Sequence, residues 1–408
     1  MKILILNSDS PNNRGDRAIL QGNIQLIREN WPEAEIWSLS EFNQRDEDWY
    51  GIRFLPYSAY TTSLVHILKI ALFSRKCEYV FWGGGEIMKD YTNKLGLYYW
   101  YFRIYTVWLF NKNIYGAFQG IGPTSADSSK RIIARTVNLT KMFITRDAES
   151  RQKLEKWGVK VPVVSSFDPA ILNTPNELSP ETKQLLKENF DIDESFLENA
   201  VGVGLRRWFH YKKGGLVPVK YRFWESNHQP VSNPKLEEYT RNTAKLLDRI
   251  VEKHDVNIVF FPMFNAPSEG DDQFSRSVMA HMQHPNRTRI IDQDNLSPQQ
   301  YQNVVARCKL FVAARLHSSI IATSSLVPAV VFYYVDKGRL YFEQIGMKQF
   351  SQPIEDLLDA KNLKTFEGQV NELLKNEKSI KKQLDKNIRA MQQKLYDDFA
   401  VVAKKDER

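Results

Sequence analysis

Apolar and polar positions alternate in blocks along the chain, and these blocks predict strands followed by helices. Short apolar runs between polar turns are typical of strands buried on both faces of a parallel sheet. In the first part of the chain, such runs are 2–7, 34–39, 54–55, 79–82, 114–118, 142–144 and 161–164. Apolar residues at helical spacing follow them, from near 16, at 62–73, 95–110 and 126–139, and from 145 to 157. This alternation predicts a doubly wound α/β domain over residues 1–176.

The same alternation predicts a second α/β domain over residues 199–350. Its predicted strands are 200–205, 256–261, 289–291, 310–312 and 329–333. Its predicted helices are 235–253, 298–307 and 338–346, with others that begin near 271 and 315. The polar, acidic stretch 177–198 between the domains predicts a linker with a helix.

The C-terminal segment 351–408 is predicted to be a helical tail. Within it, residues 376–400 carry one apolar stripe, with lysine and arginine on the opposite side. This pattern favours a terminal helix docked on the body of the protein. A basic amphipathic helix that lies on a membrane surface is the alternative.

The apolar run 95–110 is rich in tyrosine and tryptophan and has two interpretations. It predicts a buried helix under the sheet, and the alternative is an aromatic shelf at a membrane interface. Arg103 interrupts the run, which is shorter than the roughly 20 residues that span a bilayer. We therefore predict no transmembrane helix. Residues 1–6 read as a first strand rather than as a secretory signal.

The net charge of the 408-residue chain is +8, which favours an anionic substrate, a membrane surface or nucleic acid. No basic run or nucleic-acid motif is present, so we predict no nucleic-acid partner. Cys77 and Cys308 lie beside predicted core strands, which predicts buried free thiols and a cytoplasmic, reducing environment. We predict no metal site, since there is no cysteine pair and His281 and His284 lack a third ligand nearby in sequence.

The stretch 309–337 reads as one strand–helix–strand unit and carries the candidate chemistry. Ligands of such sheets bind outside the carboxyl ends of the strands, where Arg315 and His317 fall. A guanidinium can bind a carboxylate or phosphate in a forked geometry, and an imidazole can move protons near neutral pH. The helix N-terminus adds amide donors for an anion. A helix cap and a satisfied surface histidine remain the alternative.

Glycine-rich turns follow two predicted strands of the first domain, at 83–85 and 120–122. Glycines there let the backbone approach a ligand closely, although a simple tight turn is as good an interpretation. The spacing is not that of a dinucleotide fingerprint. Segment 208–232 mixes aromatic and basic residues and predicts an excursion from the sheet edge that stacks on sugars or bases, or packs locally.

Two Rossmann-like doubly wound domains with a helical tail look like a transferase of GT-B type. Over residues 1–346, an ordered set of short motifs resembles the polysaccharide pyruvyl transferase family. The motifs are Asn13-Arg14-Gly15-Asp16 with Ala18-Ile19-Leu20, Gly83-Gly84-Gly85, Gly120-Ile121-Gly122-Pro123, Arg146-Asp147, Asp168-Pro169, Gly204-Leu205-Arg206, and Arg315-Leu316-His317 with Pro328 and Lys337.

This resemblance implies a reaction in which phosphoenolpyruvate donates a pyruvyl group to a hexose of a cell-surface glycan, as a cyclic ketal. It implies no cofactor besides this donor. The implied catalytic residues are Arg206, Arg315 and His317, and Leu316 and Lys337 complete the implied donor site. Candidates on the acceptor side are Asn13, Asp16, Gly84, Gly85, Gly122 and Asp168. His317→Ala is then expected to abolish turnover, and Arg315→Ala mainly to raise the donor requirement.

Two departures from the family pattern leave the acceptor open. Arg17 stands where an acidic residue is common, and 8–11 replaces the usual glycines after the first strand. The positive charge and the tail fit a polyprenyl-diphosphate-linked acceptor and a peripheral contact with the inner face of the membrane. The alternatives are a GT-B glycosyltransferase that binds a nucleotide sugar near 262–298, and a non-catalytic protein that binds glycans or a membrane surface.

Overall fold

The structure, a computed structural model, describes residues 1–6, 13–91, 94–209, 233–264 and 269–404. The chain divides into two compact units. Over the described residues, the first comprises 1–172 with 391–404, and the second comprises 173–209 with 233–390. The division falls after Leu172, and segment 177–198 belongs to the second unit, where it forms two helices.

The first unit contains a parallel sheet of seven strands in its described part. The strands are β1 (Lys2–Leu6), β2 (Glu35–Leu39), β3 (Arg53–Leu55), β4 (Tyr79–Gly83), β5 (Ile114–Gln119), β6 (Met142–Thr145) and β7 (Val163–Ser165). Their order is β3-β2-β1-β4-β5-β6-β7, and every neighbouring pair is parallel. The predicted strands are confirmed, because continuous apolar runs are what a sheet covered on both faces requires.

Six helices of the first unit connect these strands. They are α1 (Arg14–Asn30), α2 (Asn43–Tyr50), α3 (Leu64–Ser74), α4 (Leu95–Phe110), α5 (Asp127–Val137) and α6 (Ala148–Lys156). The sequence did not predict α2, because it is polar and has no apolar stripe. Its buried residues are Asp46 and Tyr50, and Asp46 Oδ2 accepts a hydrogen bond of 2.6 Å from Ser40.

The two faces of the first sheet are covered by different helices. On one face, Ile70 of α3, Ile104 of α4 and Ile133 of α5 belong to one buried apolar cluster. On the other face, the ring of Phe399, from the C-terminal helix, lies 5.2 Å from Phe81 of β4. The C-terminal segment therefore completes the core of the first unit.

Gly22 of α1 is required by close packing against a short helical turn at Pro169–Leu172. A Cβ at position 22 would lie 2.1 Å from the Pro169 carbonyl oxygen, which is backbone and cannot swing aside. Gly22→Ala is expected to lower the free energy of unfolding by about 1–3 kcal/mol. The matched control is Gly368→Ala on an open helix surface, where a Cβ meets nothing within 4 Å and a gain of about 0.5–1 kcal/mol is expected. Denaturant melts that give both variants the same sign would contradict this packing.

The second unit contains a parallel sheet of six strands in the described residues. They are β8 (Ala200–Gly204), β9 (Asn257–Phe260), β10 (Thr288–Ile290), β11 (Leu310–Ala313), β12 (Ala329–Tyr333) and β13 (Ser351–Pro353). Their order is β10-β9-β8-β11-β12-β13. Strand β13 lies inside the range predicted as a helical tail, which corrects that prediction. A run of three residues is too short to carry a strand pattern.

The helices of the second unit cover this sheet and lead into the last helix. They are α7 (Pro180–Phe190), α8 (Glu194–Glu198), α9 (Pro234–His254), α10 (Asp271–Met279), α11 (Pro298–Val305), α12 (Leu316–Ser324), α13 (Lys337–Gln344), α14 (Leu363–Lys375) and the first part of α15 (Glu377–Lys404). Along α15, the predicted stripe is buried from Ile380, at 8% exposed, to Phe399, at 1%. The docked interpretation of this helix is confirmed.

Two other predictions from the apolar pattern can be checked directly. Cys77 and Cys308 are buried free thiols, as predicted, and burial raises the pKa of Cys77 to about 12. Helix α4 is buried on one face only, so the prediction of a buried helix is wrong for its other face, which exposes Tyr98 and Phe102. None of the helices in the described ranges combines the length and apolarity needed to cross a bilayer.

Candidate functional site

The sheet of the second unit brings two arginines to the same edge. Strands β8 and β11 are neighbours in parallel register, with Gly204 beside Ala313. Arg206 follows β8 by two residues, and Arg315 follows β11 by two residues. Gly204 lets α12 approach closely, because a Cβ there would lie 2.6 Å from the Cβ of Ser318. Both side chains therefore stand at the carboxyl edge, where ligands of such sheets bind.

The two guanidinium groups converge on one carboxylate oxygen. Arg206 Nη2 lies 3.0 Å from Glu269 Oε2, and Arg315 Nη2 lies 2.9 Å from the same atom. The side chain of Arg206 is 8% exposed, that of Arg315 is 13% exposed, and that of Glu269 is 25% exposed. This arrangement is a half-buried, two-arginine site that holds a carboxylate.

A second carboxylate, that of Asp271, binds Arg315 and fixes its orientation. Asp271, at the start of α10, is fully buried and binds Arg315 through two bonds, Nε to Oδ2 at 2.6 Å and Nη2 to Oδ1 at 2.7 Å. Asp271 Oδ2 also accepts from the Phe264 amide at 3.1 Å. Burial lowers the pKa of Arg315, but the two carboxylates outweigh this effect and raise the pKa above the usual arginine value. The guanidinium is therefore charged and fixed in direction.

Aromatic side chains hold Arg206. Its Nη1 donates to the Tyr334 hydroxyl at 3.0 Å, and its guanidinium carbon lies 4.2 Å from the centre of that ring. Trp208 flanks the same guanidinium, with its ring centre 5.3 Å away. The hydroxyl of the buried Tyr239 donates a hydrogen bond of 3.2 Å to the Arg206 carbonyl oxygen. These contacts fix the position of a cation that the sheet edge alone would leave mobile.

The other predicted donor residues also lie along this edge. His317 is the second residue of α12 and is half-buried. The side chain of Leu316 is buried, so this residue can offer a ligand only its backbone amide at the helix start. Lys337 begins α13, and its ammonium lies 5.5 Å from the Tyr334 ring centre. The site thus combines three cations, one imidazole and a helix N-terminus.

Sequence reasoning missed Glu269 and Tyr334, and it treated Asp271 as a helix start and as part of an acidic pair without a metal-ligand pattern. Tyr334 directly follows β12, and position at the carboxyl end of a strand was the signal that could have identified it. Glu269 comes nine residues after β9 ends, so only the folded chain shows its contact with the arginines. Of the aromatic and basic segment 208–232, residues 210–232 lie outside the described residues.

A buried ionic cluster lies at the carboxyl edge of the first sheet. Arg146, after β6, binds Asp168 with Nη1 3.1 Å from Oδ2, and its Nη2 lies 3.6 Å from Glu86 Oε2. Burial lowers the pKa of Arg146, but the Asp168 and Glu86 carboxylates raise it on balance, which keeps the guanidinium charged. Gly120 leaves room for this group, because a Cβ there would lie 2.7 Å from Arg146 Nε.

The structure places the predicted acceptor residues in and beside this cluster. Gly122 is required beside Glu86, because a Cβ there would lie 2.8 Å from Glu86 Oε1. Gly84 has a φ of 106°, a backbone conformation that glycine adopts without strain and other residues rarely adopt. Gly85 faces Asp16, whose Oδ1 would lie 3.5 Å from a Cβ at position 85.

Asn13 has a structural task that the sequence did not reveal. Its Oδ1 accepts from the Gly15 amide at 2.9 Å and caps α1, so the helix begins at Arg14 rather than near Asp16. Arg17, the departure from the family pattern, is buried with its guanidinium 5.1 Å from the Trp49 ring. The other departure, at 8–11, lies outside the described residues.

The histidine pair considered as a metal site makes ordinary contacts. His281 Nδ1 lies 2.8 Å from the Ser277 carbonyl oxygen, and His284 Nε2 lies 3.1 Å from Glu252 Oε1. Over the part of the chain that the structure describes, no group of three histidine, cysteine, aspartate or glutamate side chains is arranged to hold a metal ion.

The chain is similar in sequence and in fold to several known proteins. The chain is 21% identical over 417 residues to the amylovoran biosynthesis protein AmsJ of Erwinia amylovora, covering 94% of each protein. Its structure is similar to a putative UDP-N-acetylglucosamine 2-epimerase from Listeria monocytogenes, with a TM-score of 0.57, 13% identity, and 94% and 90% of the two chains covered. It is also similar to a glycosyltransferase from Rickettsia africae, with a TM-score of 0.55, 11% identity and 98% of each chain covered.

These structural likenesses concern the fold alone, and they confirm two Rossmann-like domains of GT-B type with a C-terminal helix. The family model for polysaccharide pyruvyl transferase matches residues 13–336, a range that contains both arginines and His317. The chain belongs to the polysaccharide pyruvyl transferase family.

Proposed function

We propose that this protein transfers a pyruvyl group from phosphoenolpyruvate to a hexose of a cell-surface polysaccharide or of its lipid-linked precursor. The observation that supports this most directly is the convergence of Arg206 and Arg315 on a single carboxylate oxygen of Glu269. Phosphoenolpyruvate carries a carboxylate and a phosphate, and paired guanidinium groups bind both kinds of anion. The Glu269 carboxylate then stands in for an anionic group of the donor.

Donor binding would exchange Glu269 for the substrate. Arg206, Arg315 and Lys337 carry three positive charges, and the Asp271 carboxylate remains with Arg315 in the bound state. Glu269 follows a segment that is not described, and at 25% exposure its side chain reaches solvent more readily than the buried Asp271. The phosphate would lie toward the amides at the start of α12, where a helix N-terminus favours anions.

The chemistry requires two proton transfers beside these cations. A proton adds to C3 of the enol, and C2 becomes electrophilic. One sugar hydroxyl adds to C2, the bond from C2 to the phosphate oxygen breaks, and a second hydroxyl closes the ketal. The two hydroxyls release two protons, of which one balances the proton gained at C3 and the other leaves on phosphate. Fixed positive charge stabilises the departing phosphate.

We assign His317 the acid–base role in this sequence. An imidazole can both donate and accept a proton near neutral pH, and His317 lies in the first turn of α12, two residues after Arg315. In the first unit, we propose that Asp16, Glu86 and Asp168 contact acceptor hydroxyls, since carboxylates accept hydrogen bonds from sugars. Gly84 would allow the acceptor to approach the backbone, while Gly85 and Gly122 make room for the Asp16 and Glu86 side chains.

The biological setting is a further part of the proposal. The relative from Erwinia amylovora is named as an amylovoran biosynthesis protein, and this name, together with the polysaccharide of the family name, supports a role in assembling a polysaccharide. We propose a cytoplasmic enzyme that acts on a glycan carried by a polyprenyl diphosphate. The net charge of +8 is consistent with an anionic carrier.

Phosphate release from phosphoenolpyruvate tests this function directly. Purified full-length protein is incubated with the donor and a panel of synthetic glycosides and lipid-linked glycans, and inorganic phosphate is measured with and without each acceptor. Acceptor-dependent release, together with a new ketal methyl signal in the product NMR spectrum, is the expected result.

The same panel separates the alternatives. Thermal stabilisation by a UDP- or GDP-sugar, without any response to phosphoenolpyruvate, would replace the proposal by nucleotide-sugar glycosyl transfer. Glycan binding without turnover of either donor would identify a non-catalytic binding protein. In that case the arginine pair would hold Glu269 as a structural contact only.

A further inference from the structure

One surface of the first unit combines features that no part of the pyruvyl transfer reaction uses. Twelve large apolar side chains are strongly exposed among the described residues, and nine of them lie on two adjacent helices. Those on α3 are Leu64, Val65, Leu68 and Leu72, and those on α4 are Leu95, Tyr98, Phe102, Tyr105 and Leu109. We call this surface the α3/α4 face.

The spacing of these residues makes the exposure continuous. On α3 they recur at helical spacing, while Ile67, Ile70 and Ala71 on the opposite side are buried against the sheet. On α4 they recur every three or four residues along the whole helix, opposite the buried Leu97 and Ile104. Each helix therefore has two apolar faces, and the sheet covers only one. An exposed patch of this kind marks a site of interaction.

The charges on this face have one sign. The segments 64–76 and 94–112 contain no aspartate or glutamate, whereas Lys69, Arg75, Lys76, Lys94 and Lys112 are all exposed. Basic residues that border an apolar helical surface are attracted to the anionic head groups of a lipid bilayer.

A row of aromatic side chains runs along α4 and ends at a lysine. The ring centres of Tyr101 and Tyr105 are 5.9 Å apart, and those of Tyr105 and Trp108 are 5.7 Å apart. The ammonium of Lys112 lies over the Trp108 ring at the end of this row. Tyrosine and tryptophan are enriched where a bilayer changes from hydrocarbon to head groups, because their rings are apolar and their polar atoms reach water.

We propose that the α3/α4 face docks this protein on the surface of an anionic membrane, with both helices parallel to the bilayer plane. A second copy of the chain fits less well. In a two-fold symmetric interface the same patch meets itself, so the lysines of one copy would face those of the other without an acidic partner from these segments. Docking is a property of the first unit and goes beyond the proposed transfer reaction.

Vesicle co-sedimentation of the full-length protein tests this docking. Vesicles of phosphatidylcholine alone are compared with vesicles that contain about 30% phosphatidylglycerol. We expect binding to the anionic vesicles that weakens in high salt, since salt screens exposed charges. Leu68→Ser with Phe102→Ser should weaken binding about tenfold or more, because both side chains are exposed and would enter the lipid. Phe42→Ser, which removes an exposed phenylalanine outside the face, should bind like the parent protein.

A charge-matched pair of variants completes the test. Lys69→Gln with Lys76→Gln should weaken binding to anionic vesicles about tenfold. Lys382→Gln with Lys386→Gln removes the same charge from exposed positions of α15 and should have a much smaller effect. Equal effects of the two pairs, or unchanged binding of the Leu68/Phe102 variant, would overturn the proposal. So would a dimer in solution that the Leu68/Phe102 variant converts to a monomer, since the face would then join two copies.

The docking proposal and the proposed transfer reaction can be tested independently, by vesicle binding and by phosphate release. Phosphate release with a short soluble glycoside acceptor does not require a membrane, so the Leu68/Phe102 variant should retain it. Loss of that activity together with vesicle binding would show that the substitutions disturb the first unit as a whole, and the docking proposal would lose its support.

Discussion

Replacement of His317 by alanine is expected to lower kcat for phosphate release by about 10²–10⁴-fold, because a positioned acid–base group contributes that factor to many reactions. The KM for phosphoenolpyruvate should change little, since the two arginines that hold the donor remain. His317→Gln keeps a polar side chain that cannot titrate near neutral pH, and it should be as slow as the alanine variant. Initial rates over a range of donor concentrations separate kcat from KM.

His281→Ala is the matched control for this prediction. His281 belongs to the same unit, is exposed, and contacts the Ser277 carbonyl oxygen rather than the arginine site. Its removal should leave kcat unchanged. Near-normal turnover in His317→Ala, with an unaltered melting temperature, would remove His317 from the acid–base role. In that case, the pH dependence of kcat should also be the same in His317→Ala as in the parent protein.

Replacement of Arg315 by methionine is expected to abolish donor binding and to destabilise the fold. Asp271 is fully buried and paired with Arg315 at 2.6 Å, so the variant leaves a buried carboxylate without its cation. Breaking such a pair costs about 3–5 kcal/mol. A raised donor requirement, the expectation from sequence, is therefore only part of the effect. Urea unfolding followed by circular dichroism measures the loss.

Two further variants isolate the ion pair. Arg151→Met removes an exposed pair with Glu155 and should cost about 0–1 kcal/mol. Asp271→Leu combined with Arg315→Met replaces both charges by apolar groups, and it should regain much of the stability while remaining inactive. A loss in Arg315→Met no larger than that in Arg151→Met would contradict a buried, charged pair of Asp271 with Arg315.

The fold class can be predicted from the amino-acid sequence. Strands buried on both faces must be continuous apolar runs, and such runs are legible without a structure; β4 and β11 are examples. The sequence also placed Arg206, Arg315 and His317 at one edge, because residues after parallel strands share that edge. Helix α2 was missed because its contacts are made by polar groups, such as Asp46 with Ser40, which leave no periodic pattern.

The contacts of each site residue cannot be predicted in this way and are seen only in the folded chain. The pairing of Glu269 with both arginines depends on a loop whose path no local pattern encodes. Asn13 and Asp168 were equal candidates in sequence, yet one caps a helix and the other anchors Arg146. Burial likewise separates two similar helices: α15 covers its apolar stripe, whereas α4 leaves one of its two apolar faces uncovered. The sequence shows which residues are apolar. Whether an apolar face is buried depends on the neighbouring elements that folding brings against it.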